Sequence, residues 1–180
     1  MCIGLLMYNE DMKLVIAPGN SARHKEWAEK LRDYFLDTYD EVYVHYYRHW
    51  ERNEPEADVE YEITALQEKV GDESVDVIAK SIGTVILSFA IHQGAIKPHI
   101  SLLLGVPFKI LSERNYDLPN LLSNYNTISV VQNSSDPMGS FADVREYFSD
   151  LAHIKVYEHE GDTHDYLDFQ QMKDILIPHG

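Results

Sequence analysis

The chain has 180 residues, 44% of them apolar, and a formal charge of −15, which describes one globular domain over residues 1–180 with enough chain to bury a core. Such acidity repels phosphate backbones and anionic lipid surfaces, so neither nucleic acid nor a membrane is an expected partner. No apolar run is long enough to cross a bilayer, the start lacks the basic flank and small-residue cleavage site of a secretion signal, and the one cysteine, Cys2, has no partner for an internal disulfide, so the expected location is cytoplasmic.

Taken in chain order, strand-like and helix-like runs alternate. Met1–Tyr8 reads as an extra strand, antiparallel and at or near an edge, with Asn9-Glu10-Asp11 as the reversal. Lys13–Ala17 is a short strand stopped by Pro18-Gly19, and Trp27, Leu31, Tyr34 and Phe35 mark a helix face. Glu41–Tyr47, rich in Val and Tyr, is the next strand. The acidic stretch Glu51–Glu62, which contains Pro55, reads as a solvated loop before a helix marked by Ile63, Leu66 and Val70. Val75–Ala79 is a buried strand, and Ile82, Val85, Ile86, Phe89 and Ala90 follow at helical spacing. Ile100–Val106 and Thr127–Gln132 are strands separated by a weak helical segment at Asn120–Tyr125. A helix through Phe141, Val144, Phe148 and Leu151, a strand at Ile154–Glu158 and a closing helix through Phe169, Met172 and Leu176 complete the chain. This alternation predicts an α/β fold, a three-layer sandwich with a mostly parallel sheet of six to seven strands and helices on both faces.

In open parallel sheets the active groups sit beyond the carboxyl ends of the strands. Four segments fall there: Pro18–Ser21, Lys80–Gly83, Asn133–Gly139 and Glu160–Asp165. Ala79-Lys80-Ser81-Ile82-Gly83 places a serine at a strand-to-helix turn with a glycine two residues on, the pattern of a nucleophile elbow. The turn pushes the hydroxyl out, and the helix start beside it supplies unpaired backbone N–H groups. A serine hydroxyl needs a base. His164, after the last strand, is the candidate base. Asp136, in the loop after the preceding strand, is the candidate for orienting it.

The order Ser81, Asp136, His164 resembles that of the α/β-hydrolase superfamily, and the resemblance covers the chain from about Lys13 to its end. It implies a serine hydrolase acting on a small ester, thioester or related acyl compound through an acyl-enzyme, without a cofactor. It also implies an oxyanion hole made by the backbone N–H groups of Ile82 and Asn20. Pro18-Gly19-Asn20-Ser21 is similar to the corresponding loop of small lidless hydrolases such as those like retinoblastoma-binding protein nine. The elbow looks more like the dienelactone-hydrolase-like branch, and the sequence leaves the two open. Two positions depart from the pattern: Ala79 stands where a glycine is usual, and Lys80 precedes the serine instead of the frequent histidine. The stretch Gly105–Asn124 is too short for a sizeable lid, so the expected pocket is shallow and open.

Each position also has a plainer reading. Ser81 reads as a helix N-cap, Asp136 before Pro137 as a turn initiator, and the His164 loop as solvated polar surface. A metal site at His159 and His164 is a rival without regular ligand spacing. His45–Trp50 reads either as a substrate rim, with Tyr47 and Trp50 joined by Lys80, or as packing against neighbouring helices. The rival at the level of the whole molecule is a catalytically weak binding module that works through protein–protein contact. Oligomeric state and physiological substrate leave no mark in the sequence.

Overall fold

The computed structural model describes residues 12–177; the strand expected at Met1–Tyr8 lies outside the described residues. The described elements are β1 (Lys13–Ala17), α1 (His24–Phe35), β2 (Glu41–Val44), α2 (Arg48–Arg52), α3 (Val59–Val70), β3 (Ser74–Lys80), α4 (Ile82–His92), β4 (Lys97–Leu104), α5 (Phe108–Arg114), α6 (Leu118–Leu122), β5 (Ile128–Asn133), α7 (Phe141–Tyr147), β6 (Lys155–His159) and α8 (Phe169–Leu176). The six described strands form one sheet in the order β2-β1-β3-β4-β5-β6, and every neighbouring pair is parallel.

Strand side chains alternate between two apolar layers because successive Cβ atoms point to opposite faces. Val15, Ala17, Val77, Ala79, Leu103 and Val130 face one layer, together with α3, α4, α6 and α7 through Leu66, Val85, Leu122 and Val144. Leu14, Ile16, Ile78, Leu102, Leu104 and Val131 face the other, covered by Trp27, Leu31 and Phe35 of α1 and Met172 and Leu176 of α8. Each of the valine, leucine, isoleucine, phenylalanine and methionine side chains among these contributes about 1.5–3 kcal/mol by leaving water. Two residues of β3 break its apolar run on the α1/α8 face, Asp76 and Lys80, and both are buried. Asp76 sits at the bulge between Val75 and Val77. It accepts hydrogen bonds from Tyr39 Oη (2.8 Å), His99 Nδ1 (3.2 Å) and Ile100 N (3.1 Å).

Helix starts follow from short polar side chains. Asp58 caps α3, Asp117 caps α6, Asp168 caps α8, and Ser140 with Asp143 forms a capping box on α7. The expected loop at Glu51–Glu62 is corrected: α2 occupies Arg48–Arg52 and α3 begins at Val59. Phe108–Arg114 is a further helix that the reading of residues 105–124 did not contain.

Sheet order fixes where a site can form. From β1 the chain steps outward to β2 and then returns to the other side of β1 to enter β3. The loops leaving β1 and β3 therefore diverge from adjacent strand ends, and a crevice opens between them at the topological switch point.

Candidate active site

Ser81 stands at that switch point, directly after β3 and before α4. Its backbone is at φ 54°, ψ −121°. A non-glycine residue at positive φ is strained by about 1–3 kcal/mol and persists only where its surroundings impose it. Two contacts impose it here. Ser81 N–H donates to the Leu104 carbonyl (3.0 Å), which extends the β3–β4 ladder by one residue. Gly83 packs so closely on β1 that a β-carbon there would overlap the Ala17 carbonyl oxygen and lie 2.8 Å from that of Pro18. The Ser81 side chain makes no capping hydrogen bond, so the N-cap reading describes its position but not its hydroxyl. Ala79 is fully buried in the core at the place where glycine is usual.

Asp136 and His164 come together. His164 Nδ1 lies 2.9 and 2.8 Å from the two Asp136 carboxylate oxygens. Asp136 is buried and also accepts from Tyr166 Oη (2.7 Å) and Met138 N (2.7 Å). The turn-initiator reading is thus also realised, since the Met138 bond is an Asx turn. With Nδ1–H held by the carboxylate, the imidazole presents Nε2 as its basic atom. Nε2 is buried with no hydrogen-bond partner among the described residues, so no Ser81–His164 hydrogen bond is formed. Such bonds commonly close only when substrate is present. Gly105 is the shared wall: it follows Leu104, the acceptor for Ser81 N–H, and a β-carbon on it would lie 2.9 Å from His164 Cε1.

The loops that carry these groups are cross-braced. Asn133 donates through Nδ2 to the carbonyls of Thr163 (2.9 Å) and Asp165 (3.0 Å), which fixes the backbone on both sides of His164. Asn133 Oδ1 accepts from His159 Nδ1 (2.9 Å). Gln132 Oε1 accepts from Val106 N (2.8 Å), and its Nε2 donates to the Gly139 carbonyl (2.6 Å). Trp27 Nε1 donates to the Tyr166 carbonyl (2.7 Å). Burial pushes the Tyr166 phenol well above its ordinary pKa, so it stays protonated and donates to Asp136. Tyr166, Asn133, Gln132 and His24 were not among the residues singled out from the sequence. Gln132 and Asn133 are two buried polar residues that follow Val130 and Val131 at the end of β5, and that break in the apolar pattern is the signal that could have found them.

On the other side of the crevice, the Asn20 N–H has no acceptor among the described residues, and Ile82 N–H is the first of a helix and has no intrahelical acceptor. The loop that presents Asn20 is locked. Tyr47 Oη donates to the Pro18 carbonyl (2.6 Å), and His49 Nε2 and Trp50 Nε1 each donate to the Asn20 carbonyl (2.7 Å). The Asn20 amide bonds to Pro55 O (2.9 Å) and Ala57 N (3.0 Å). This corrects the substrate-rim expectation. Tyr47 is 1% exposed and Lys80 is 1% exposed, so neither lies on a rim. Trp50 is half-buried and braces the loop through its indole N–H. Among the described residues no group of three metal-ligating side chains converges.

No protein-family model matches the sequence, and no curated protein matches it. Solved structures do. An uncharacterized protein from Bacillus cereus aligns with TM-score 0.68 at 16% identity over 98% of this chain and 61% of its own; this chain therefore spans less than two thirds of that protein's length. An alpha/beta hydrolase enzyme from the metagenome of lagoon sediments at Mar Chica, Morocco, aligns with TM-score 0.65 at 16% identity over 92% of this chain and 89% of its own. A cold-adapted esterase from an Arctic intertidal metagenomic library aligns with TM-score 0.64 at 14% identity over 94% of this chain and 80% of its own. At these identities the likeness is one of fold. Together with the six parallel strands and helices on both faces, it shows that this chain has the α/β-hydrolase fold.

Proposed function

We propose that the protein is a serine hydrolase acting on a small ester, thioester or related acyl compound. The observation that carries this reading is the placement of Ser81 in a strained strand-to-helix turn, its hydroxyl free of capping duty, at the end of the sheet that also carries the Asp136–His164 pair. In the proposed reaction Ser81 Oγ attacks the acyl carbon as His164 Nε2 takes the hydroxyl proton. The carbonyl oxygen becomes an oxyanion, held by the Asn20 and Ile82 N–H groups. Collapse expels the leaving group, which receives the proton from His164. A water molecule, deprotonated by the same nitrogen, then releases the acid and restores Ser81. Asp136 holds the tautomer and offsets the imidazolium charge. This chemistry draws on no cofactor.

The test is fluorophosphonate labelling followed by peptide mass spectrometry. The adduct is expected on Ser81 and absent in Ser81→Ala. Turnover of p-nitrophenyl acetate should fall on the order of 10⁴-fold or more in Ser81→Ala and about 10⁴-fold in Asp136→Asn, with the fold unchanged by circular dichroism. Folded wild-type protein that takes no label sinks the reading. That outcome favours the second one, a binding module with a hydrolase fold, to which the open Ser81–His164 gap is the observation that lends support.

A further inference from the structure

We propose that Lys80 and His24 are positioning residues, and that the hydrogen bond between them ties the nucleophile-bearing strand to the oxyanion loop. The inference rests on the serine-hydrolase reading above. Lysine is rarely buried unless it is paired, yet Lys80 is 1% exposed, at the carboxyl end of a central strand and next to Ser81. Its Nζ donates to His24 Nε2 (3.1 Å) and lies 5.8 Å from the centre of the Trp27 ring. His24 opens α1, and its ring lies on Gly19, where a β-carbon would overlap the imidazole. Lys80 is thus one residue from Ser81, and the ring it holds touches the residue before Asn20. The bond therefore runs across the same crevice that the two candidate oxyanion donors, Asn20 and Ile82, flank. Such donors act only when held close to the productive geometry, since a misplacement of about 1 Å costs on the order of 10²-fold in rate.

His24 accepts this bond only as a neutral imidazole. Burial and the neighbouring Lys80 charge bring its pKa down to about 4, so it is neutral throughout the physiological range. The pair is faced by Asp165 and His164 from the loop after β6, by Asp136 from the loop after β5, and by the Trp27 ring of α1. Burial lowers the Lys80 pKa to about 8, while Asp165 and Asp136 oppose that shift. A charged ammonium makes a stronger hydrogen bond than a neutral amine. The tie is therefore tightest between about pH 4 and about pH 8, and it slackens above that window as Lys80 loses its charge.

The test compares wild type, Lys80→Met, His24→Gln and His24→Leu by the rate of fluorophosphonate labelling from pH 5 to 10, with thermal melts to establish folding. Histidine ring ¹⁵N spectra are recorded alongside. Lys80→Met is expected to label about tenfold more slowly at pH 7 while folded, and to lack the decline above about pH 8 that wild type shows. His24→Gln keeps an acceptor and should recover much of the wild-type rate, whereas His24→Leu should not. An alkaline limb that survives in Lys80→Met, or equal rates for the Gln and Leu variants, overturns the proposal. The ring spectra decide independently of activity. In wild type His24 should carry its proton on Nδ1 and titrate near pH 4, and in Lys80→Met it should titrate higher; an ordinary titration in wild type overturns the pairing. Wild type that takes no label removes the hydrolase reading, and the spectra alone then judge the pair.

Discussion

Tyr166 shows how much of the candidate site depends on single side chains. Its hydroxyl donates to Asp136 Oδ2, accepts from Asn133 N (3.1 Å), and its ring meets His164 edge-on. Tyr166→Phe keeps the ring and leaves a buried carboxylate and a buried N–H each one partner short. The expected cost is about 1–3 kcal/mol in urea denaturation, with slower labelling of Ser81 at unchanged adduct position. A variant as stable as wild type would show that water replaces both bonds. Lys80 carries a stability prediction of its own. Between its folded pKa of about 8 and its ordinary 10.5, the unfolded chain binds a proton that the folded chain does not. Stability from this group therefore rises with pH across that window, and the burial penalty is fully present below it. The Tm difference between Lys80→Met and wild type should thus shift in favour of wild type from pH 8 to pH 10. A constant difference would mean that Lys80 titrates in its ordinary range. Ser81, Asp136 and His164 are candidates on the sequence because each lies in a segment that follows a strand-like run, Ser81 directly after β3 and the other two in the loops beyond β5 and β6. The sequence places Lys80 on a substrate rim whereas the structure buries it, because spacing does not reveal whether a lysine points into a packed layer.

At the scale of elements, the start of α4 is the tightest junction. Gly83→Ala would drive a β-carbon into two backbone carbonyl oxygens of β1 and its loop, and backbone cannot swing aside as a side chain can. The expected result is a loss of about 1–3 kcal/mol from overpacking, together with a disproportionate fall in labelling, because the same carbonyls belong to the loop that presents Asn20. Normal stability and labelling would show that α4 shifts without cost. The glycine was visible in the sequence, but as part of an elbow pattern; the carbonyls it makes room for come from residues 17 and 18, more than sixty positions away. The unexpected helix α2 and the early start of α3 have a related cause. α2 is five residues long and offers too few turns for a periodicity to show. The start of α3 was marked by Asp58 before Val59, a capping signal masked by the run of acidic residues around it.

For the whole molecule, a formal charge of −15 on 180 residues means that folding concentrates like charge. Surface ion pairs such as Lys13 with Glu41 and Glu73 offset only part of it, and exposed pairs of this kind are worth about 0–1 kcal/mol each. Screening should therefore stabilise the protein: the Tm is expected to rise between 20 and 200 mM sodium chloride. A fall would mean that the attractive pairs outweigh the repulsion. The sequence by itself determined the fold class, because an alternation of short continuous apolar runs with period-3.6 apolar patterns admits few packings besides a layered parallel sheet. It also shows which segments beyond the strand ends bear polar groups, and this is what makes Ser81, Asp136 and His164 candidates. Tertiary structure alone decided the sheet order, which sets the β1 and β3 loops against each other, and the bracing of each loop by residues far away in sequence. Tyr47 and Trp50 became supports of the Asn20 loop, and Lys80 found His24, for one physical reason. Local periodicity reports which face a residue prefers, whereas hydrogen-bond partners and burial depend on which other segment arrives at that face.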